Sequence, residues 1–249
     1  MGIVSPVGNQ LQEAWDNVCN GVSGIRLLDG FDTSAFPTRI GGTVENFDVT
    51  EYLPPKEARK MDPFVHYGIA ASVNAIADSG LEITEENGHT IGIAMGAGIG
   101  GLKTIEDTHA RMMQGGPRKV SPFFIPGSII NMTSGYVSIL QKITGPNVSI
   151  VTACATSAHC IGFAGRMIQH GDAEVMLAGG SEYATTPLAM AGFCAARAMS
   201  TNNDNPTGAS RPYDVARDGF VLSNGAGCVI LEELEHAKAR GATIYAELL

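Results

Sequence analysis

Cys154 stands between a β-branched run and a helical pattern, a position that suits a nucleophile. Residues 148–153 predict a buried strand and residues 157–170 predict a helix, so the side chain between them would sit at a sharp turn. The thiolate is the reactive form of cysteine, and the unpaired N–H groups at a helix start favour negative charge. Ala153 and Ala155 are small and would leave room for a substrate. The simpler interpretation is that Cys154 is a buried packing residue.

A glycine pattern, Gly96-x-Gly98-x-x-Gly101, follows a predicted strand over residues 90–95. This spacing matches the phosphate-binding fingerprint of dinucleotide enzymes. The fingerprint also needs an acidic residue about 20 positions further on, and Ser121 stands there instead. A dinucleotide oxidoreductase is therefore a weakly supported hypothesis.

Basic residues are few and clustered. Such clusters usually lie on solvated surface, but in an acidic chain they could also steer an acidic partner. The clusters are Lys56, Arg59 and Lys60, then Arg118 and Lys119, with Arg197 standing alone.

The composition limits the class of protein. The 249 residues carry a net charge of −9, which argues against nucleic-acid binding. Five cysteines without a C-x-x-C pair indicate reduced thiols and a cytoplasmic location. No apolar run approaches the ~20 residues of a membrane span, and the start lacks the basic segment of a signal peptide. The cysteines predicted to be packing residues are Cys19, Cys160, Cys194 and Cys228.

No metal site is predicted. The acidic pairs Glu85-Glu86 and Glu106-Asp107, together with His109, lack a recognisable ligand spacing. We interpret them as solvated helix faces.

Helical and strand-like runs alternate along the chain, which predicts an α/β layered fold. Asp62-Pro63 opens a helix that ends at Gly80, since Asp is a good N-cap and Pro suits the first helical position. Residues 30–61 read as irregular, and both chain ends look cut. The other predicted helices are 9–20 (capped by Asn9), 105–114, 128–142, 187–195 and 232–240; the other predicted strands are 174–178, a hairpin of 220–222 with 227–231 around Asn224-Gly225, and 244–249.

The surroundings of the cysteine carry a family resemblance. The run is Val151-Thr152-Ala153-Cys154-Ala155-Thr156-Ser157-Ala158-His159. It resembles the active-site signature of the β-ketoacyl-acyl-carrier-protein synthases, and further segments match in order along the whole chain. They fit the elongating synthases of types I and II better than type III or the thiolases. Residues 210–212 and 217–220 lean towards type II, whereas the run around the cysteine itself resembles type I. These segments are residues 2–8, 96–101, 121–126, 131–132, 178–182, 198–200, 210–214 and 217–221.

The resemblance implies a fold and a reaction. The fold would be the N-terminal half of the thiolase-like layered fold with its family insertion, as one incomplete domain over residues 1–249. Cys154 would take an acyl group from acyl carrier protein as a thioester. Malonyl carrier protein would then lose CO2, and the resulting carbanion would attack the thioester in fatty-acid elongation.

The resemblance also implies binding residues and partners. Ile99 and Phe193 would line the acyl pocket, and the basic residues at 56, 59, 60, 118, 119 and 197 would contact the carrier protein. No resident cofactor is implied, because phosphopantetheine arrives on the carrier protein. The intact relatives are homodimers, so we expect dimer surfaces around residues 95–160.

Two histidines drive the decarboxylation in this family, and both lie in the half that does not match this chain. His159 would point about 140° away from Cys154 on a helix. We therefore expect the isolated chain to hold the nucleophile without completing the condensation. Two alternatives stay open: a non-catalytic fragment that binds carrier protein, and a polyketide ketosynthase.

Overall fold

A mixed five-stranded sheet forms the centre of the chain in the computed structural model, which describes residues 1–249. The strands are β1 (Gly2–Val4), β2 (Ile25–Leu27), β3 (Ile40–Gly42), β4 (Ile91–Gly96), β5 (Asn147–Val148), β6 (Val175–Glu182) and β7 (Gly225–Glu232). The sheet order is β1-β7-β6-β4-β5, and β2 and β3 form a separate antiparallel pair.

Helices cover both faces of this sheet. They are α1 (Leu11–Cys19), α2 (Pro55–Ala58), α3 (Pro63–Ser79), α4 (Leu102–Gly115), α5 (Phe124–Ser128), α6 (Met132–Gln141), α7 (Thr156–Gln169), α8 (Pro187–Ala195) and α9 (Leu234–Ala239). Short 3-10 turns occur at Val49–Glu51, Pro117–Lys119, Ala153–Ala155 and Pro206–Gly208. None of the helices combines the length and apolarity that a membrane crossing requires.

The two-residue period of the strands divides the core into two layers. Ile93 and Leu177 face α3 and join the large core cluster on that side. Ala94 and Ala178 face α7 and join a second cluster around Cys160. The chain is therefore an α/β sandwich of three layers, and the predicted layered fold is confirmed.

Strands β4, β5 and β6 run parallel, so their carboxyl ends meet at one edge of the sheet. Strand β7 is antiparallel to β6, and the pairing runs from Val175↔Glu232 to Glu182↔Gly225. In open α/β sheets, ligands bind beyond the carboxyl ends of the parallel strands. That edge is therefore where a site is expected.

Local signals predict α3 correctly. The Asp62 side chain accepts a hydrogen bond from the Phe64 N–H at 3.2 Å, and Gly80 ends the helix in the left-handed region at φ +62°. The helix passes very close to α6: a Cβ on Gly68 would lie 2.3 Å from Cγ2 of Thr133. The predicted bounds of α8 are also confirmed, and α7 begins one residue before the prediction.

Four of the predicted strands and helices are wrong, because the structure there depends on contacts with distant parts of the chain. The strand at 148–153 shrinks to Asn147–Val148, since β5 lies at the sheet edge and pairs only with β4. The helix at 128–142 is broken between α5 and α6. The hairpin at 220–231 does not form, because β7 pairs with β1 and β6 instead. The predicted strand at 244–249 has no regular structure.

Smaller differences lie at element ends. Helix α1 follows Gln10 and not Asn9, whose side chain donates to the Glu45 carbonyl. Helix α4 begins at Leu102, three residues before the prediction. Strand β1 forms at the very start of the chain, where the sequence left little room for one. The region called irregular holds β3 and α2.

Candidate active site

Cys154 lies at the centre of the 3-10 turn Ala153–Ala155, directly before α7, and is exposed. The alternative that it is a buried packing residue is therefore wrong. Ala153 has φ +53°, in the left-handed region that costs a non-glycine residue roughly 1 kcal/mol. The chain thus reverses sharply just before the cysteine and displays its thiol at the carboxyl edge of the sheet.

Side chains on α7 hold this turn from behind. The buried Thr156 hydroxyl accepts a hydrogen bond from the Thr152 N–H at 2.9 Å. The Thr152 hydroxyl lies 2.7 Å from Nδ1 of His159. His159 therefore contacts the turn through a threonine and makes no hydrogen bond to the thiol.

The other cysteines are mostly packing residues. Cys160 and Cys228 are buried, and burial raises the pKa of both thiols, that of Cys228 to about 11. Cys194 is half-buried. Cys19 is exposed at the end of α1, so its prediction as a packing residue is wrong. Cys154 and Cys19 are thus the exposed thiols of the chain.

The glycine-rich loop after β4 wraps around the carboxylate of Glu182. The backbone N–H groups of Gly98 and Ile99 donate to Oε2 at 2.8 and 2.9 Å, and that of Gly100 donates to Oε1 at 2.9 Å. The donors that a nucleotide phosphate would need are thus already used by the chain itself. The dinucleotide hypothesis loses its physical basis here.

Glu182 is a functional candidate that sequence reasoning missed. Burial raises the pKa of its carboxyl group above the ordinary value, against the lowering effect of the three N–H donors, and the Asp62 carboxylate raises it further. The signal in the sequence is a glutamate that ends the small-residue strand 178–182. Nothing in that segment alone points to a loop some eighty residues earlier.

The same loop touches the turn that carries Cys154. A Cβ on Gly98 would lie 3.2 Å from the Ala153 carbonyl oxygen and 3.1 Å from Oε2 of Glu182. The loop therefore passes through a narrow gap between the carboxylate and the turn. Only a glycine at this point fits without displacing one of its two neighbours.

Ile99 and Phe193 meet at one apolar cluster beside this loop. Both are half-buried, and the Phe193 ring packs edge-on against Phe220 with 5.3 Å between ring centroids. The structure thus brings the two predicted pocket residues together. The buried members of the cluster are Leu28, Ala184, Ala189, Met190, Met199 and Leu222.

Glu106 has a structural role that the sequence did not indicate. Its Oε1 accepts hydrogen bonds from the Thr186 hydroxyl at 2.6 Å and from the Leu188 N–H at 3.0 Å. The prediction of a solvated helix face is wrong for this residue. Glu106 fixes the start of α8, which carries Phe193.

Two of the basic clusters are brought together on the surface. Lys60 Nζ lies 5.1 Å from the Phe123 ring centroid, and Phe123 follows closely on Arg118 and Lys119. Lys60 also pairs with Glu57, with Nζ 2.7 Å from Oε1. The other basic residues of the predicted clusters are all exposed: they are Lys56, Arg59, Arg118, Lys119 and Arg197.

No histidine makes a hydrogen bond to the Cys154 thiol. His66 Nε2 lies 2.8 Å from the Ala58 carbonyl oxygen, and burial lowers the pKa of its imidazole. His236 bonds to Glu232 at the other end of the sheet. No group of three or more His, Cys, Asp or Glu side chains could hold a metal ion.

Solved structures with the same fold define the class of the protein. A β-ketoacyl synthase from Burkholderia phymatum superposes with a TM-score of 0.83 at 30% identity, covering 98% of this chain and 60% of the other. A type II polyketide ketosynthase, solved with its acyl-carrier protein and bound to a hexaketide, gives a TM-score of 0.86 at 29% identity, covering 99% and 60%. The fold is that of the thiolase-like ketosynthases.

The sequence then narrows this class to a family. Residues 1–237 match the family described as "Beta-ketoacyl synthase, N-terminal domain". The chain belongs to the β-ketoacyl synthase family, and the resemblance given by its motifs is confirmed.

Curated relatives are similar over the whole chain. The 3-oxoacyl-[acyl-carrier-protein] synthase 2 of Vibrio harveyi is 58% identical over 249 residues. The enzyme of the same name from Coxiella burnetii is 53% identical over the same length. The chain spans 60% of the length of each of these relatives.

Proposed function

We propose that Cys154 is the nucleophile of a 3-oxoacyl-acyl-carrier-protein synthase that elongates fatty acids. The observation that carries this proposal is an exposed cysteine on a strained turn, at the carboxyl edge of three parallel strands. Relatives named for this activity, 46–58% identical over the whole chain, support the assignment.

The first half-reaction is an acyl transfer between thiols. The Cys154 thiolate attacks the carbonyl carbon of an acyl thioester on the phosphopantetheine arm of a carrier protein. The carbon–sulfur bond to that arm breaks, and the departing thiolate takes up a proton. The acyl group now forms a thioester with Cys154, and its apolar chain lies between Ile99 and Phe193.

The second half-reaction forms a carbon–carbon bond. Malonyl carrier protein loses CO2, and the electron pair of the broken bond remains on the α-carbon. That carbon attacks the acyl-Cys154 carbonyl, and the cysteine thiolate leaves. The product is a 3-oxoacyl group, two carbons longer, on the carrier protein.

The basic surface around α2 is the proposed docking site for the carrier protein. Lys56 and Arg59 are exposed, and Lys60 joins them to the turn with Arg118 and Lys119 through Phe123. Because the chain has a net charge of −9, a local basic surface is the natural place for an acidic partner. Arg197, just after α8, is proposed as a separate contact.

The open edge of β5 is the proposed homodimer surface. Strand β5 pairs with β4 on one side only, and apolar side chains are exposed just after it and on the helices α6 and α7: Val151 at 51%, Ile139 at 72% and Phe163 at 45%. Unpaired strand edges bordered by apolar residues are templates for a second strand. A second copy of the chain would cover this edge.

We also propose a cytoplasmic location, because free cysteines are typical of reducing compartments.

A polyketide ketosynthase is the second candidate. It is supported by the fold shared with the polyketide ketosynthase bound to a hexaketide, but at 29% identity only. The higher identity to the synthase 2 relatives favours fatty-acid elongation. Comparing acyl and polyketide thioesters as donors to Cys154 separates the two.

Acylation of Cys154 tests the nucleophile directly. The chain is incubated with an acyl carrier protein thioester, and peptides are analysed by mass spectrometry. We expect acyl-Cys154 to form while the exposed Cys19 stays unmodified, and C154A to give no adduct. Equal modification of Cys19 and Cys154 would instead favour a non-catalytic carrier-protein-binding fragment.

The 249-residue chain alone should stop at this acyl-enzyme. None of its six histidines hydrogen-bonds to the Cys154 thiol, so the two histidines that the family uses would have to act from outside these residues. When both acyl and malonyl carrier protein are supplied, we expect no 3-oxoacyl product. Robust turnover would contradict this.

A further inference from the structure

We propose that Glu182 is a positioning residue that fixes the loop carrying Ile99 and thereby sets which acyl chains reach Cys154. The inference rests on the proposed function, because it assigns Ile99 to the acyl pocket. It adds a specificity-determining role for a carboxylate that does not itself contact the thiol.

The carboxylate is the only side chain that accepts hydrogen bonds from this stretch of loop. Three consecutive backbone N–H groups, from Gly98 to Gly100, converge on its two oxygens at 2.8–2.9 Å. Glu182 makes no ion pair with a lysine, arginine or histidine. Backbone dipoles therefore provide the compensation for its charge. Losing the carboxylate would leave all three donors without a partner.

The loop has little rigidity of its own. Ile99 is flanked by two glycines, and Gly100 adopts φ +76°. Glycine leaves the backbone free on both sides of Ile99, so the conformation must be imposed from outside. The three hydrogen bonds impose it.

Glu182 in turn is held firmly. It is the last residue of β6 and pairs with Gly225 of β7. Just beyond it, the N–H groups of Ala184 and Thr185 donate to the buried Asn224 Oδ1 at 2.8 and 3.0 Å. The Glu182 carboxylate thus extends from a fixed strand end to the glycine-rich loop, and its three hydrogen bonds hold that loop in place.

Two contacts pass this constraint to the site. Gly98 presses against Ala153, whose carbonyl precedes Cys154 in the strained turn. Ile99 packs on the apolar cluster that also holds Phe193. Displacement of the loop would therefore move one wall of the proposed acyl pocket relative to the thiol.

The test compares a short and a long thiol reagent on the same chain. Cys154 is modified with methyl methanethiosulfonate or octyl methanethiosulfonate, and Cys19 in the same molecule is the internal reference. In the unaltered chain we expect the octyl-to-methyl rate ratio to be higher at Cys154 than at Cys19. A pocket that accepts the alkyl chain is the reason.

The variants are E182A, E182Q, I99A and the double variant E182A/I99A. The ratio at Cys154 should fall about fivefold or more in E182A, the effect of losing roughly one kcal/mol of preferential binding. It should fall by about half as much on a logarithmic scale in E182Q, which keeps one acceptor oxygen. In I99A background, E182A should have no further effect, because Glu182 acts through Ile99.

The control is E232Q, at the opposite end of the same strand pair, which should leave the ratio unchanged. If E182A and I99A alter the ratio independently of each other, or if E182Q folds and leaves it unchanged, the inference is overturned. If the unaltered chain shows no octyl preference at Cys154, the proposed acyl pocket itself fails. The two failures are therefore distinguishable, and E182Q serves where E182A does not fold.

Discussion

Two glutamates mark the opposite ends of the β6–β7 strand pair, and the fold treats them in opposite ways. Glu182 ends β6 and Glu232 ends β7, and each stands across from the first residue of the other strand. At about 3.4 Å per residue they lie roughly 24 Å apart. Backbone N–H groups alone compensate the charge of Glu182, whereas the side chains of Arg240 and His236 bond to Glu232.

The Glu232 end is built for stability. Arg240 donates from Nε and Nη2 to the two carboxylate oxygens, each at 2.7 Å, and its Nη1 donates to the Ser79 carbonyl at 2.9 Å. The Glu232 side chain is only 8% exposed. This arrangement ties the end of β7 to the end of α3. The Arg240–Glu232 ion pair thus stabilises the end of the strand pair that lies far from Cys154. Glu182, which has no cationic partner, lies at the Cys154 end.

The largest expected effect comes from breaking the Glu232 end. R240M leaves Glu232 without its arginine and should lower the free energy of unfolding by about 2–4 kcal/mol. Urea unfolding measures this loss. Under native conditions the methyl reagent should still modify Cys154 at the unaltered rate. A changed rate would show that the two ends are not independent.

A second prediction concerns the surface near the Cys154 end. Reversing three charges, in K56E/R59E/K60E, should weaken carrier-protein binding about tenfold at low salt, and less at high salt, because exposed charges are screened. Binding is measured by titration calorimetry at two ionic strengths. The control, K142E/R166E/K238E, makes the same change in net charge elsewhere. Equal weakening by both variants would remove the docking assignment.

The two glutamates should also give opposite pH dependence. Burial alone would raise the pKa of Glu232, but hydrogen bonds from Arg240 and His236 bring it below the ordinary 4.5. The unfolded chain then binds the proton more tightly, so this contribution to stability is lost as pH falls below 4.5. The pKa of Glu182 is raised, chiefly by burial, so its contribution is present at low pH and is lost as pH rises above 4.5.

Comparing variants separates these opposed contributions. Stability is measured by urea unfolding from pH 3.5 to 6.5. Relative to the unaltered chain, E232Q should lose less stability on acidification, and E182Q should lose less as pH rises. The same pH slope in both variants would contradict the assigned shifts.

The smallest effect is expected at Glu57. This residue holds Lys60 in an exposed ion pair, and such pairs contribute little to stability. E57Q should leave the unfolding midpoint unchanged while strengthening carrier-protein binding about twofold at low salt, since Lys60 is released. A loss of binding would mean that Glu57 orients Lys60 and does not compete for it.

Local signals predicted the fold wherever a few neighbouring residues determine the structure. Asp62-Pro63 and Gly80 define α3 because a cap, a fixed φ and a left-handed end act within one turn of helix. The strand at 148–153 failed because the sheet offers β5 a partner only over two residues. The hairpin failed because Asn224 is a buried hydrogen-bonding residue and not a turn.

The site shows the same division. Cys154 was predicted from its neighbours, and the pocket and docking residues from the family resemblance. Glu182 and Glu106 were missed because their partners lie 80 or more positions away in the sequence. When a carboxylate accepts hydrogen bonds only from backbone N–H groups, the sequence contains no residue of opposite charge that would indicate the contact.

The strained turn at Ala153 has a consequence for engineering. Glycine at this position would adopt φ +53° without the penalty that alanine bears, so a screen for thermal stability would favour A153G. The same change would free the backbone beside the Cys154 thiol, so the gain in melting temperature would come with a less firmly held thiol. Ala153 is therefore a position where selecting for thermal stability and selecting for a fixed Cys154 thiol should give different residues.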